Sequence, residues 1–306
     1  MRTDPPAAGF LGAPVETDLA RLDADAVILG VPHGWRYPRA GAAAGCAVAP
    51  AAVRRASQRL GRFRGHWDFD LDAPMLPVDG GPRLVDAGDV PGDPADGPGN
   101  SRRTQEAVRA ILDAGALPVC IGGDDSVPIP ILRAYEGRGP ITVVQVDAHL
   151  DYRDEVDGVR EGYSSPMRRA SEMDHVERIV HVGLRGVGSA RASDVEDSRA
   201  AGNLLITARE LRLRGAPWLL GQLPQDASVF LSFDCDGLDP SVVPAVSAPS
   251  PGGLSYSEAV ELIAGLARRL GGVAFTEYVP AQDRDQISAV VAVRLAALVV
   301  AGIGPG

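Results

Sequence analysis

Hydrophobic residues in this chain come in short runs, and the segments between the runs repeat apolar positions with helical spacing. The runs predict strands over 26–31, 83–87, 117–121, 141–147, 178–183, 203–206, 228–234 and 273–278. Several are apolar at consecutive positions, as strands covered by helices on both faces must be. Helices are expected over 49–60, 101–114, 126–136, 165–173, 189–201, 207–213, 255–270 and 284–301. Ser126, Thr207 and Ser255 read as N-caps, and Gly202 and Gly271 as helix stops. Strand and helix alternate over almost the whole length. That pattern predicts one α/β domain over 1–306, a three-layer αβα sandwich around a mainly parallel sheet, with residues 1–25 as a less regular arm. Two segments, 62–80 and "DVPGDPADGPGN" at 89–100, read as long exposed loops. The most apolar stretch, "ISAVVAVRLAALVVAGIG" at 287–304, carries Arg294 near its middle and reads as a buried C-terminal helix, not a membrane span.

Charge narrows the partners. The net charge is −10 and the pI about 5.0, which disfavours nucleic acid and anionic membranes and tolerates a small cationic ligand. All 30 basic residues are Arg. Without lysine, neither Schiff-base chemistry nor a P-loop is available. Cys46, Cys120 and Cys235 are distant in sequence and odd in number. They point to a reducing compartment, so a cytoplasmic protein is expected. The start, "MRTDPPAAGFLG", lacks a basic region followed by an apolar core and reads as no signal peptide.

The acidic motifs fall at strand ends, where open α/β sheets bind ligands. "CIGGDDS" brings Asp124 and Asp125, "QVDAHLD" brings Asp147, His149 and Asp151, "LSFDCDGLDP" brings Asp234, Asp236 and Asp239, and "FTEYVP" brings Glu277. Residues two apart on an extended segment share a side, so Asp147, His149 and Asp151 are expected on one side. Asp234 and Asp236 are expected on another, with Cys235 turned into the core. Carboxylates this dense repel unless cations intervene. Several carboxylates with one imidazole suit two divalent ions, Mn²⁺ most naturally; thiolate zinc is not suggested. His33, His66, His175 and His181 lack such company and read as structural.

In combination these motifs resemble the ureohydrolases, the arginase and agmatinase family, closest to its agmatinase-like branch. The likeness rests on "GGDDS" (122–126), "DAHLD" (147–151), "SFDCDGLDP" (232–240), "PSPGGL" (249–254) and "EYVP" (277–280), supported by "DAGDV", "SSPMRRA" and "VGLRG", and spans roughly 26–301. It implies an arginase-like sandwich around an eight-stranded parallel sheet, usually a homo-oligomer (trimer or hexamer). It implies two Mn²⁺ ions per subunit, with one or none as alternatives. Asp147 and Asp234 would bridge them, Asp151 would complete one site, and His149 and Asp236 the other. Glu277 would face the guanidinium of agmatine or a related ω-guanidino amine or acid. The implied reaction is hydrolysis to urea and an amine, with Asp151 positioning or deprotonating the attacking water.

Three departures stand out. The sixth metal ligand, His in the family, is Asp125 here. The segment that often supplies a mobile catalytic His reads "REGYSSP", where Tyr163 takes that place as the candidate proton relay. The loop "PAVSAPSPGG" (244–253) replaces the family's Pro-Gly-Thr pattern. Asp125 leaves the ligand set one charge more negative than two divalent ions offset, which favours a cationic substrate and opposes formation of the nucleophile. Arg153 and Arg160, just beyond the metal motif, are candidates to pair with a substrate carboxylate or are solvated loop charges. The alternatives are a metal-deficient relative with a binding or scaffold role, a guanidino hydrolase of specialised metabolism, and a phosphatase suggested by "FDCDGL". The last would leave "DAHLD" and "GGDDS" unexplained.

Overall fold

The computed structural model describes residues 1–38, 42–77 and 79–303. Its strands are β1 (Ala26–Val31), β2 (Trp67–Asp68), β3 (Ala73–Pro74), β4 (Leu84–Asp89), β5 (Leu117–Gly122), β6 (Ile141–Val146), β7 (Val176–Leu184), β8 (Leu204–Thr207), β9 (Ser228–Asp234) and β10 (Leu270–Thr276). Eight of them form one sheet in the order β4-β1-β5-β10-β9-β6-β7-β8, with every neighbour parallel. β2 and β3 pair only with each other. The helices are α1 (Ala49–Gly61), α2 (Gly97–Asp113), α3 (Pro128–Arg133), α4 (Pro166–Ser171), α5 (Ala192–Ala200), α6 (Ala208–Arg214), α7 (Ala216–Leu220), α8 (Tyr256–Leu266) and α9 (Ile287–Ala301).

The strand alternation divides the interior into two cores. Ile28, Val144, Val146, Leu231 and Phe233 point to one face, where they meet residues of α1, α8 and α9. Val27, Leu29, Val143 and Phe230 point to the other, against residues of α2, α3 and α4. Both faces are covered, so the strands are apolar at most positions on both sides, and the expected eight-stranded αβα sandwich is what forms. The C-terminal helix α9 is mostly buried, and Arg294 reaches from it to Asp68, Asp70 and the Tyr256 hydroxyl. No helix among the described residues is long and apolar enough to cross a membrane.

Several expected boundaries move. The 89–100 segment is only partly loop: α2 begins at Gly97, capped by the Asp96 carboxylate, with Pro98 in its first turn. The 62–80 segment contains the β2–β3 hairpin. Ser126 caps no helix, because its hydroxyl is turned to the Asp124 carboxylate and α3 starts two residues later. Gly271 stops no helix; α8 ends at Leu266, a 3₁₀ turn follows, and Gly271 lies inside β10. The short α7 was not expected. Thr207 and Ser255 do cap their helices, and Gly202 follows α5 with φ +82°. Val78, inside the 62–80 segment, and Gly304, at the end of the apolar C-terminal stretch, lie outside the described residues.

Candidate active site

Four neighbouring strands at the middle of the sheet end in acid. β5 runs out into Gly122-Gly123-Asp124-Asp125, β6 into Asp147, β9 ends at Asp234, and β10 runs out into Glu277. The chain leaves each strand sharply. Asp151 and Glu277 both take positive φ, +45° and +61°, a region that side chains other than glycine's rarely occupy. A 3₁₀ turn over Cys235–Gly237 follows Asp234. Gly237 permits that turn, since a Cβ there would come within 2.8 Å of the Asp147 backbone nitrogen. The expectation that strand alternation aligns Asp147, His149 and Asp151, and likewise Asp234 and Asp236, is therefore corrected. β6 stops at Val146, and both sets converge through bends and a turn. Cys235 is buried in the apolar core, as expected.

Among the described residues two groups of would-be ligand atoms result, each within 4.8 Å: Asp147, His149 and Asp236, and Asp125, Asp147 and Asp151. Asp147 belongs to both. The His149 Nδ1 lies 3.1 Å from Asp236 Oδ2 and 3.5 Å from Asp147 Oδ1. Asp236 Oδ1 accepts from the Ala148 N–H, which ties the β9 turn to the β6 loop. Asp234 lies outside both groups but lines the same cavity, and its Oδ1 accepts from the Asp236 N–H at 2.7 Å. Asp125 Oδ1 accepts from the Thr276 hydroxyl at 2.6 Å, whereas its Oδ2 is buried without a hydrogen-bond partner. Glu277 accepts from the Asp125 N–H at 3.0 Å.

These groups cannot all be charged on their own. Burial, and then the charge of Asp236, pushes Asp147 up to about 6. Burial followed by repulsion from Asp147 drives Asp125 and Asp151 well above the usual carboxylate range; burial and then Asp236 does the same to Asp234. Glu277 rises to about 8 through burial and the Asp124 charge. Hydrogen bonds to Asp147 and Asp236 raise His149 to about 10. An anion cluster that takes up protons when bare could share its charge with cations instead.

The cavity above these oxygens measures 320 Å³. Of the residues singled out from sequence, Asp125, His149, Asp151, Asp234, Asp236, Glu277 and Tyr163 line it, and Asp147 lies within 4.8 Å of ligand atoms of four of them. Tyr163 packs edge-on against Tyr37 at 4.5 Å, and burial raises its pKa, so it is a neutral phenol. The walls come from positions that sequence reasoning did not single out: Ser164, Val187, Gly188, Ser189, Ser247 and Ala248. Their signal was membership of quoted segments, Ser164 in "SSPMRRA" and Ser247 and Ala248 in the variant 244–253 loop, with Val187, Gly188 and Ser189 directly after "VGLRG". Arg153 and Arg160 turn away: Arg153 bonds the Ser189 carbonyl and pairs with Asp194, and Arg160 pairs with Asp154 and Glu172.

Fold and site thus define an αβα sandwich with a cation-ready acidic pocket at the carboxyl ends of parallel strands. The family model described as "Arginase family" matches residues 24–302. An agmatinase of Sodalis glossinidius is 31% identical over 302 residues, covering 95% of this chain and 91% of that one. Among solved structures, proclavaminate amidino hydrolase from Streptomyces clavuligerus aligns with a TM-score of 0.82 at 25% identity, covering 97% and 96% of the two chains. A Trypanosoma cruzi formiminoglutamase solved with Mn²⁺ aligns with a TM-score of 0.77 at 28% identity, covering 92% and 93%. The chain belongs to the arginase family and is a hydrolase of amidine C–N bonds. That sets aside the phosphatase reading of "FDCDGL".

Proposed function

We propose that this protein hydrolyses a guanidino compound, agmatine in the first instance, to urea and an amine, using two Mn²⁺ ions. The observation that carries the reading is the orphaned, buried Oδ2 of Asp125 among converging carboxylates, an acceptor left without any donor. Oxygen donors with one imidazole and no thiolate suit Mn²⁺. Asp125, Asp151 and the shared Asp147 and Asp234 would hold one ion; His149 and Asp236 would complete the other. When bound, such ions supply Lewis acidity to the amidine and to water.

The chain's own groups divide the remaining work. Asp151 orients the attacking water and takes its proton. Glu277 accepts N–H bonds from the guanidinium, held for that by the Asp125 N–H. A cation beside Glu277 opposes the repulsion from Asp124 and favours the ionised carboxylate. Tyr163, as a neutral phenol, donates to the departing amine.

Agmatine is favoured over a guanidino acid because no Arg lines the cavity among the described residues, while five carboxylates do. A guanidino intermediate of specialised metabolism is the second reading, supported by the likeness to proclavaminate amidino hydrolase. A trimeric or hexameric assembly and a cytoplasmic setting belong to the same proposal; the three free cysteines, all buried, fit a reducing compartment. The test is urea release from agmatine, ω-guanidino acids and arginine with added Mn²⁺ across pH. Agmatine is expected to turn over fastest. No urea from any of them, with no Mn²⁺ uptake, supports the scaffold alternative instead.

A further inference from the structure

One polar thread in the sheet lies outside the cavity. His181 on β7 is wholly buried and sits directly across from Gln145 on β6, in register. Its Nδ1 bonds Gln145 Oε1, and its Nε2 lies 3.3 Å from the Ser198 hydroxyl of α5. Gln145 Nε2 donates to Asp147 Oδ2 at 2.7 Å. At the far end, Asn203 Nδ2 donates to Ser198 Oγ at 3.2 Å while its Oδ1 accepts from the Ile179 N–H.

Both ends of this thread have a fixed polarity. An ionised Asp147 only accepts, so Gln145 must offer it the amide NH₂ and turn its carbonyl to His181. A backbone N–H only donates, so Asn203 must present its oxygen to Ile179 and its NH₂ to Ser198. The ring between them can satisfy both neighbours in a single tautomer: Nδ1 carries the proton and Nε2 accepts from Ser198. Burial holds His181 down to about 3, which keeps it neutral.

We propose that His181 is a positioning residue for the metal centre: it locks the Gln145 amide so that its N–H, and not its carbonyl, faces Asp147. Asp147 is the carboxylate common to both ligand groups, and its other oxygen accepts from the His149 backbone N–H. With both oxygens held by donors, the carboxylate plane is set before any cation arrives. Without the imidazole, the Gln145 carbonyl is left buried without its donor, so the amide is held from one end only and its bond to Asp147 Oδ2 loosens.

The proposal rests on the metal-centre reading above, so its test has one arm without metal. In the EDTA-stripped protein, ¹⁵N NMR of the His181 ring is expected to show the neutral Nδ1–H tautomer across neutral pH; an Nε2–H tautomer or an imidazolium overturns the proposal. In the second arm, Mn²⁺ affinity is measured by competition with a chelator. His181→Leu and Gln145→Leu are each expected to weaken binding by about 10- to 100-fold, the double variant no further than either single one. His181→Asn, whose amide N–H can occupy the place of Nδ1–H, is expected to recover most of the loss. A folded His181→Leu that binds Mn²⁺ like the parent overturns the proposal, as does an Asn variant no better than Leu. Should the parent itself take up no Mn²⁺, the metal reading falls, and the tautomer in the metal-free arm alone decides whether His181 orders the Gln145 amide.

Discussion

The bare site should destabilise the fold in a pH-dependent way that Mn²⁺ reverses. Burial and the neighbouring Asp236 raise Asp147 from 3.8 to about 6, and Glu277 rises from 4.5 to about 8. A carboxyl whose folded pKa is raised stabilises the fold fully below its unfolded pKa, and that contribution is lost as pH rises through the folded value. For the metal-free protein the loss therefore runs from about pH 4 to about pH 8. Asp147 alone accounts for about two pKa units, or about 3 kcal/mol. For a chain of 306 residues that is roughly 5 °C in Tm. Cations compete with protons for the same oxygens, so the stabilisation by Mn²⁺ must grow over the window in which the bare protein weakens. The assay is calorimetry of EDTA-stripped protein with and without excess Mn²⁺ at about pH 5 and about pH 8. The difference in Tm between the two samples should be larger at the higher pH by several degrees. A difference that is flat, or larger in acid, would refute the claim that these carboxylates are held apart from their charges by burial and repulsion.

Replacing Asp125 by His removes one negative charge from the ligand set. A unit charge about 5 Å away at an effective dielectric of about 20 is worth roughly 3 kcal/mol, an upper bound near two pH units. The acid limb of kcat under saturating Mn²⁺ should therefore move down by about one to two units; a limb that stays put or moves up contradicts the charge argument. Tyr163→Phe should lower kcat about tenfold or more while leaving KM nearly unchanged, and parental steady-state kinetics would make Tyr163 a packing residue of the wall. Asp68 is a stability site. Burial works against its charge, yet hydrogen bonds from Arg294 hold its carboxyl below the usual range, so this contribution is present above about pH 4 and lost as pH falls through the depressed value. Asp68→Ala should cost about 2–4 kcal/mol by denaturant unfolding near neutral pH, with the gap to the parent closing in acid; a gap that persists in acid assigns the loss to packing instead.

The sequence displayed the sheet because both its faces are covered. β1 is a continuous apolar run, β6 and β9 are apolar at most positions, and the limits of all three were legible to within a residue. What misled was local chemistry with two meanings. Asp96-Gly97-Pro98-Gly99 has the composition of a loop, but here the Asp caps the helix and the Pro starts it. Gly271 looks like a helix stop and is an interior strand residue, where the Tyr135 hydroxyl bonds its carbonyl. The acids of the site were legible as a set because they are too many for one apolar neighbourhood. Their route into the cavity was not. Period-two reasoning assumes a strand that continues, and the strands stop at the rim. The walls around Val187 and Ser247 come from loops that pattern does not constrain, and His181 gave no signal because its partner, Gln145, is 36 positions away.

Costs of three different kinds meet at the rim of the sheet, which is an argument about function that no motif supplies. Two of the six non-glycine residues with positive φ among the described residues are Asp151 and Glu277. The carboxyls driven furthest from their ordinary range are Asp125, Asp151 and Asp234, and among the described residues Asp125 also carries the buried carboxylate oxygen that lacks a donor. A sequence shaped for stability alone would put Asn, Ser or an apolar residue at these positions, as it does put Val, Ile and Phe a few residues upstream on the same strands. Strain, repulsion and an unmet hydrogen bond therefore coincide at the rim where the strands end. A ligand of opposite charge relieves the last two together, and that shared relief is what ties backbone geometry to chemistry here.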